Sequence, residues 1–437
     1  MIRSNYHSKV GHNEFYPTAL PSNVAYKRKF VRSYMLLVLA CLILLPSFRV
    51  IPGLPSLRLD DILLVSYPLI ALALFRSFEL DRRVWILFLI GIAFLLGFSA
   101  GTILGFPSSF GDLFFSIRIL KYVGAVVLAT SFVMLVGRDE GFSFFAKASL
   151  FLGVGAVIIA LQQYFDLGSL NSRYVHLIAP TQFLTLVDGY SWPRPVGMLG
   201  NPNEFGYLLV LLGLVGIYFW TSVNNLKFSW KMVTVAIFAT SVLTMSRSSI
   251  FAGLIGVAIF SLGLAFLSFS LLRGTLSKKK MIGLISILLS VFGLIILFLT
   301  NEDLFVQIAW RFMPERFGSF AARAPAWVAN YEGWRQSILF GIGPLRRGGV
   351  FGAADNEHFL LLRTGGIILY GLVIMLLSIG IFGKGLSPIN RVFQVAIGLS
   401  VLAYMVPAVA FYSLVVFPYL LMLLVILAPM PAGRVRV

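Results

Sequence analysis

Cysteine is all but missing from this 437-residue chain, where Cys41 stands alone. One thiol builds neither a disulfide framework nor a cysteine-rich metal centre, and it leaves the redox compartment unreadable. Histidine is nearly as scarce: His7, His12, His176 and His358 are the only four, and none stands at a paired metal-ligand spacing. Metal binding is therefore the weaker expectation. Charged residues make up only 12% of the chain, with 17 acidic side chains against 35 Lys and Arg. What fills the space is apolar, 59% of all residues, at a mean hydropathy of +0.91. A soluble domain could not keep that much apolar surface from water.

Apolar runs of about 18 residues or more, each able to span roughly 30 Å of hydrocarbon, recur along the chain. The expected fold is all-α, a polytopic membrane protein with about twelve transmembrane helices. The spans are read at 31–50, 61–76, 84–104, 113–136, 146–166, 203–221, 229–245, 249–271, 281–300, 366–383, 392–411 and 414–430. Residues 1–30 form a polar, disordered tail, and 31–437 form one membrane domain. The net charge of +18 would suggest nucleic acid in a soluble protein. Here positive charge marks cytoplasmic loops, and no nucleic-acid partner is expected. Alternate loops hold Lys27 to Arg32, Arg82 and Arg83, Arg138, Lys227, Lys278 to Lys280 and Arg391. With both tails included they collect 21 of the 35 basic residues. Both termini are thus read as cytoplasmic.

Two loops on the opposite side are long, 167–201 and 301–365. They carry nine basic residues, all arginine: Arg173, Arg194, Arg311, Arg316, Arg323, Arg335, Arg346, Arg347 and Arg363. The guanidinium fork suits phosphate and carboxylate, although lipid headgroups or acidic loop residues would also receive it. Arg247 is the only charge between Lys231 and Arg273, inside "LTMSRSSIF". A helix from 229 to 271 would be about 64 Å long, so the chain must turn there. Arg247, the neighbouring serines and a helix N-terminus would make an anion site, with Ser248 or Ser249 as cap. A snorkelling arginine is the alternative.

In "RPVGMLGNPNEFG" Asn201 is suited to cap a helix, with Pro202 at its first position, Asn203 next and Glu204 completing a capping box. Arg194 is left unexplained by capping. Arg118 and Lys121 share one helix face, with Arg118 about 7 Å below the outer edge of its span. Asp355, Glu357 and His358, beside Asn356, are the grouped titratable candidates on the outer side. A carboxylate or imidazole there could accept a hydroxyl proton.

Four pieces in this order resemble the O-antigen ligase and polymerase superfamily of bacterial membrane glycosyltransferases. They are "RPVGMLGNPNEFGYLL", "LTMSRSSIFAGLIG", "RAPAWVANYEGWRQSILFGIGPL" and "DNEHFLLLRTGGIILYGL", within residues 180 to 385. The resemblance implies transfer of a glycan from an undecaprenyl-pyrophosphate carrier on the outer side of the bacterial inner membrane, without metal or nucleotide-sugar. It implies Arg194, Arg247 and Arg323 as pyrophosphate-binding, joined by Arg118 from the reading above. Arg311, Arg316, Asn203 and Asn356 are expected to contact substrate, and Asp355 and His358 to be catalytic. Counted back from Gly366, Asp355 takes the place of the family histidine. That is similar to capsular and exopolysaccharide polymerases rather than ligases. Partners expected are lipid-linked glycans, membrane lipids and a chain-length regulator. A ligase delivering the glycan to a lipid A core and a transporter are the alternatives.

Overall fold

The computed structural model describes residues 22–46, 58–75, 80–106, 110–179, 183, 186, 193–223, 226–270, 324–345, 356–382, 387–406 and 416–428, with only the backbone given for 110–117 and 268–270. The helices are α1 Ser22–Leu44, α2 Leu59–Leu74, α3 Arg82–Ile103, α4 Phe110–Val136, α5 Arg138–Phe165, α6 Asn171–Ile178, α7 Pro202–Ser222, α8 Phe228–Leu243, α9 Arg247–Ser270, α10 Ala324–Arg335, α11 Glu357–Ser378, α12 Pro388–Met405 and α13 Val416–Leu427. No strand occurs among the described residues. Seven helices (α3, α4 from Arg118, α5, α7, α9 to Leu267, α11 and α12) are long and apolar enough to cross a membrane, and α8 and α13 are shorter apolar helices. The expected span at 281–300 lies outside the described residues.

Helix ends follow local chemistry. The Asn201 side chain accepts from the Asn203 amide at 2.8 Å with Pro202 in the first turn, so α7 starts where its sequence signals it. Ser387 caps α12 and Asp81 caps α3 in the same way. For α9 the cap is Ser246, whose Oγ accepts from the Ser249 amide at 3.3 Å. Ser248 and Ser249, the expected caps, stand inside the first turn. At the start of the described chain, α1 begins at Ser22, so 22–30 is helix and not disordered tail. Its basic face has a partner that composition does not show: Arg28 and Arg32 both pair with Glu140 at the start of α5.

That contact sets the starts of α1 and α5 at one end of the bundle. The other end holds the finish of α1 and the starts of α2, α7, α9 and α11. Here Arg58 donates to the carbonyls of Cys41 and Leu42, and Ser249 to the carbonyl of Asn203. The cores of the two halves are α4 and α7. α4 packs against α1, α2, α3 and α13, and α7 against α5, α8 and α9. Both are buried on nearly all sides, whereas α3 and α9 turn most of their apolar surface outward. All-round apolar sequence is needed in either setting, so tertiary context decides which helix is central.

α11 is not a single rod. Gly365 (φ −141, ψ 17) and Gly366 (φ 66, ψ −163) interrupt it. A segment of turn and irregular backbone, 338–343, enters the gap and takes up the freed backbone groups. Ile342 N donates to Arg363 O at 2.7 Å, Gly343 N to Thr364 O at 3.1 Å, and Ile367 N to Ile338 O at 3.0 Å. Buried irregular backbone in a membrane protein needs such internal partners. α3 meets the junction through Gly97 and Gly101, where a Cβ would collide with the carbonyls of Thr364 and Ile342. The start of the apolar stretch read as 366–383 is thus the break itself, and α11 begins nine residues earlier at Glu357.

Candidate functional site

Two of the sequence motifs meet at the Asn201 end of the bundle. Arg194 Nε donates to Thr244 O at 3.0 Å, and its NH2 donates to Asn203 Oδ1 at 3.1 Å. Thr244 is the C-cap of α8, three residues before Arg247. Ser249 Oγ donates to Asn203 O at 2.9 Å and lies 2.7 Å from Ser246 Oγ, which is 3.0 Å from Ser248 Oγ. The starts of α7 and α9 are therefore stitched together by hydroxyls and one guanidinium. Gly206 permits this approach, since a Cβ there would press on Thr244 Oγ1 and Ser249 Oγ. Arg194, Asn203 and Arg247 are all half-buried, whereas the three serines are buried. Two arginines and two helix N-termini at one place favour a negatively charged ligand.

The loop that carries Arg194 is held by a residue absent from the sequence reading. Gln163, fully buried near the end of α5, accepts from the amides of Val196 and Gly197, both at 2.9 Å. Its Nε2 donates to Gly197 O and Tyr174 Oη, both at 3.0 Å. Gly197 has φ +55, and a Cβ there would run into the Phe205 ring. α6 completes the brace: Asn171 Nδ2 donates to Gln163 O at 2.7 Å, and Val175 packs with Ala179, Leu186 and Val196. No local pattern marks Gln163, because its side-chain partners lie 11 and more residues away.

At the start of α11, Asn356 is the N-cap. Its side chain accepts from the His358 amide at 3.0 Å and the Phe359 amide at 3.3 Å. His358 is half-buried, with Nε2 3.1 Å from Leu402 O and Nδ1 3.0 Å from Tyr370 Oη. Glu357 is fully buried. Its electrostatic neighbours include Tyr122 on α4 and Tyr404 on α12; Glu204 neighbours the same two tyrosines, and Arg118 and Asp61 also neighbour Tyr122. Tyr404 stacks on Tyr207 of α7, with ring centroids 4.0 Å apart and planes 7° from parallel. Glu204 and Glu357 are thus electrostatic neighbours of two buried tyrosines, Tyr122 and Tyr404, and Arg118 of Tyr122, at the same bundle end as Arg194 and Arg247.

Lys121 has a different fate from Arg118. It is buried and pairs with Asp60 at 2.5 Å and Asp61 at 2.7 Å, while Arg58 Nε pairs with Asp60 at 2.8 Å. These ions join α1, α2 and α4. Arg363 is also withdrawn from any ligand, buried and donating to Pro344 O. A cavity of about 830 Å³, lined by Arg138, Asp139, Tyr218, Ser387 and Asn390, opens near the opposite end of α7. None of the expected site residues lines it. Asp355, Arg311, Arg316 and Arg323 lie outside the described residues, and no group of His, Cys, Asp and Glu suited to a metal occurs among the described ones. Compared with family models and with curated proteins, the chain matches none.

Proposed function

We propose that the protein is a polysaccharide polymerase, a metal-independent glycosyltransferase of the bacterial inner membrane with twelve spans and both termini cytoplasmic. The observation that carries this reading is the union of the two arginine motifs: Arg194 bonded across the α8–α9 turn that presents Arg247. Paired guanidiniums beside helix N-termini suit a pyrophosphate at the membrane surface. In the reaction, the bond between the donor sugar's anomeric carbon and the undecaprenyl-pyrophosphate oxygen breaks. A bond forms from that carbon to a sugar hydroxyl of the next lipid-linked repeat. The hydroxyl proton passes to the Asp355 carboxylate, and Arg194, Arg247, Arg323 and Arg118 offset charge on the departing pyrophosphate. Asn203, Asn356, Arg311 and Arg316 are the proposed substrate contacts. Both substrates are anchored in the bilayer, which lowers the entropic cost of their meeting. A chain-length regulator is the expected protein partner.

The test is purified protein in liposomes with lipid-linked repeat units. New glycosidic bonds and released polyprenyl pyrophosphate are expected, and both are lost in Arg194→Lys. Glycan delivered only to added lipid A core would identify a ligase. The interrupted α11 and the buried Asp60–Lys121 pair favour a transporter as the second reading, since discontinuous helices and buried charge recur there. Lipid-linked substrate crossing the bilayer without a new glycosidic bond would select it.

A further inference from the structure

His358 uses both ring nitrogens on contacts that tie three pieces of chain together. Nε2 faces the Leu402 carbonyl on α12, and a carbonyl only accepts, so Nε2 carries the hydrogen. Nδ1 is then the acceptor, and the Tyr370 hydroxyl donates to it. In an unbroken helix these two residues, twelve apart, would lie about 18 Å apart along the axis and roughly 120° apart around it. They touch because the axis turns at Gly365 and Gly366, with His358 before the break and Tyr370 after it. The rings are also in edge contact, 5.8 Å between centroids at 61°.

We infer that His358 is a positioning residue, a clasp that closes the broken helix onto α12, and not the group that takes a proton from the acceptor sugar. What it positions is the first turn of α11. Asn356 caps that turn, and Glu357 on it is buried and an electrostatic neighbour of Tyr122 and Tyr404. A neutral imidazole with its hydrogen spent on a carbonyl and its lone pair on a phenol has no free nitrogen with which to take that proton. Of the two groups named for the proton, Asp355 is the one that remains. That last step rests on the polymerase reading; the clasp itself does not.

The discriminating variants are His358→Gln, His358→Ala and Tyr370→Phe. A glutamine amide can donate to Leu402 O and accept from Tyr370, yet it cannot act as a base near neutral pH. Polymer formation is expected to stay within about twofold of wild type in His358→Gln. It should fall more than about twofold in Tyr370→Phe, through misplacement of the first turn of α11 once that hydrogen bond is lost. A base role for His358 predicts the reverse, a dead His358→Gln and an unaffected Tyr370→Phe, and that result would overturn the inference. A second readout needs no substrate. Denaturation midpoints in detergent for His358→Ala, Tyr370→Phe and the double variant should be non-additive, the double costing little more than His358→Ala alone. Additive midpoints would also overturn the clasp. A non-additive cycle in a protein that forms no polymer would leave the clasp standing and remove only the polymerase reading.

Discussion

Removing one member of the buried ion cluster tests whether the α1–α2–α4 contact is held as described. Asp60 is fully buried and accepts from Arg58 Nε at 2.8 Å and Lys121 Nζ at 2.5 Å. Asp60→Ala deletes both charge-assisted bonds, each worth roughly 1.5–3 kcal/mol. Neither cation is fully abandoned: Lys121 keeps Asp61, and Arg58 keeps the carbonyls of Cys41 and Leu42. The expected loss is therefore at the lower end of the range for breaking a buried pair, about 3 kcal/mol out of 3–5. Lys121→Met leaves Asp60 with Arg58 alone and should cost a similar amount. The double variant, with both charges gone from the pair, should cost clearly less than the sum, by about 1–3 kcal/mol. Chemical denaturation of the four proteins in detergent micelles, at equal monodispersity, measures the cycle. A loss under about 1 kcal/mol for Asp60→Ala would match an exposed pair and refute the burial of this cluster.

Gln163→Leu leaves buried amides at Val196 and Gly197 without an acceptor. It should destabilise by about 1–3 kcal/mol, read as a lower denaturation midpoint in detergent, and an unchanged midpoint would refute the brace. Arg247→Lys keeps the charge and loses the fork; by analogy with deleted oxyanion donors it should cost on the order of 2.7–4 kcal/mol in the transition state. Wild-type rates at equal expression would make Arg247 an interfacial anchor. Gly97→Ala forces a methyl onto the Thr364 carbonyl and should destabilise by about 1–3 kcal/mol or more, seen as a lower denaturation midpoint. In a Cys41→Ala background, cysteines at the exposed Ser172 and Ser222 should label from outside and inside respectively. Outside labelling at 222 would invert the topology.

Much of the helical layout was legible because its causes are local. Apolar length, Asn201 with Pro202, and the lone Arg247 between two apolar runs each act within a few residues. The start of α7 and the turn before α9 accordingly fall where they were expected. Composition also predicted long apolar helices, since no other secondary structure satisfies that backbone so locally in hydrocarbon. The cap of α9 was misplaced by two or three residues because all four residues from Ser246 to Ser249 except Arg247 are hydroxylic, and only backbone dihedrals choose among them.

Tertiary structure decided everything that depends on distant partners. Arg118 and Lys121 look equivalent on one helix face, yet Asp60 and Asp61 claim the lysine while the arginine, like Glu204 and Glu357, is an electrostatic neighbour of Tyr122. Gln163 reads as an ordinary polar residue at a helix end until the Val196–Gly197 turn lands on it. His358 reads as a base until the break at Gly366 brings Tyr370 to it. The glycines that make the break could be seen in "RTGG", but what enters the gap is the 338–343 segment, more than twenty residues upstream. Sequence by itself determined which segments are apolar and helical, because those preferences are short-range. Which partner each buried charge meets was decided by the fold, because burial gives a charge its value only through the partner it meets there.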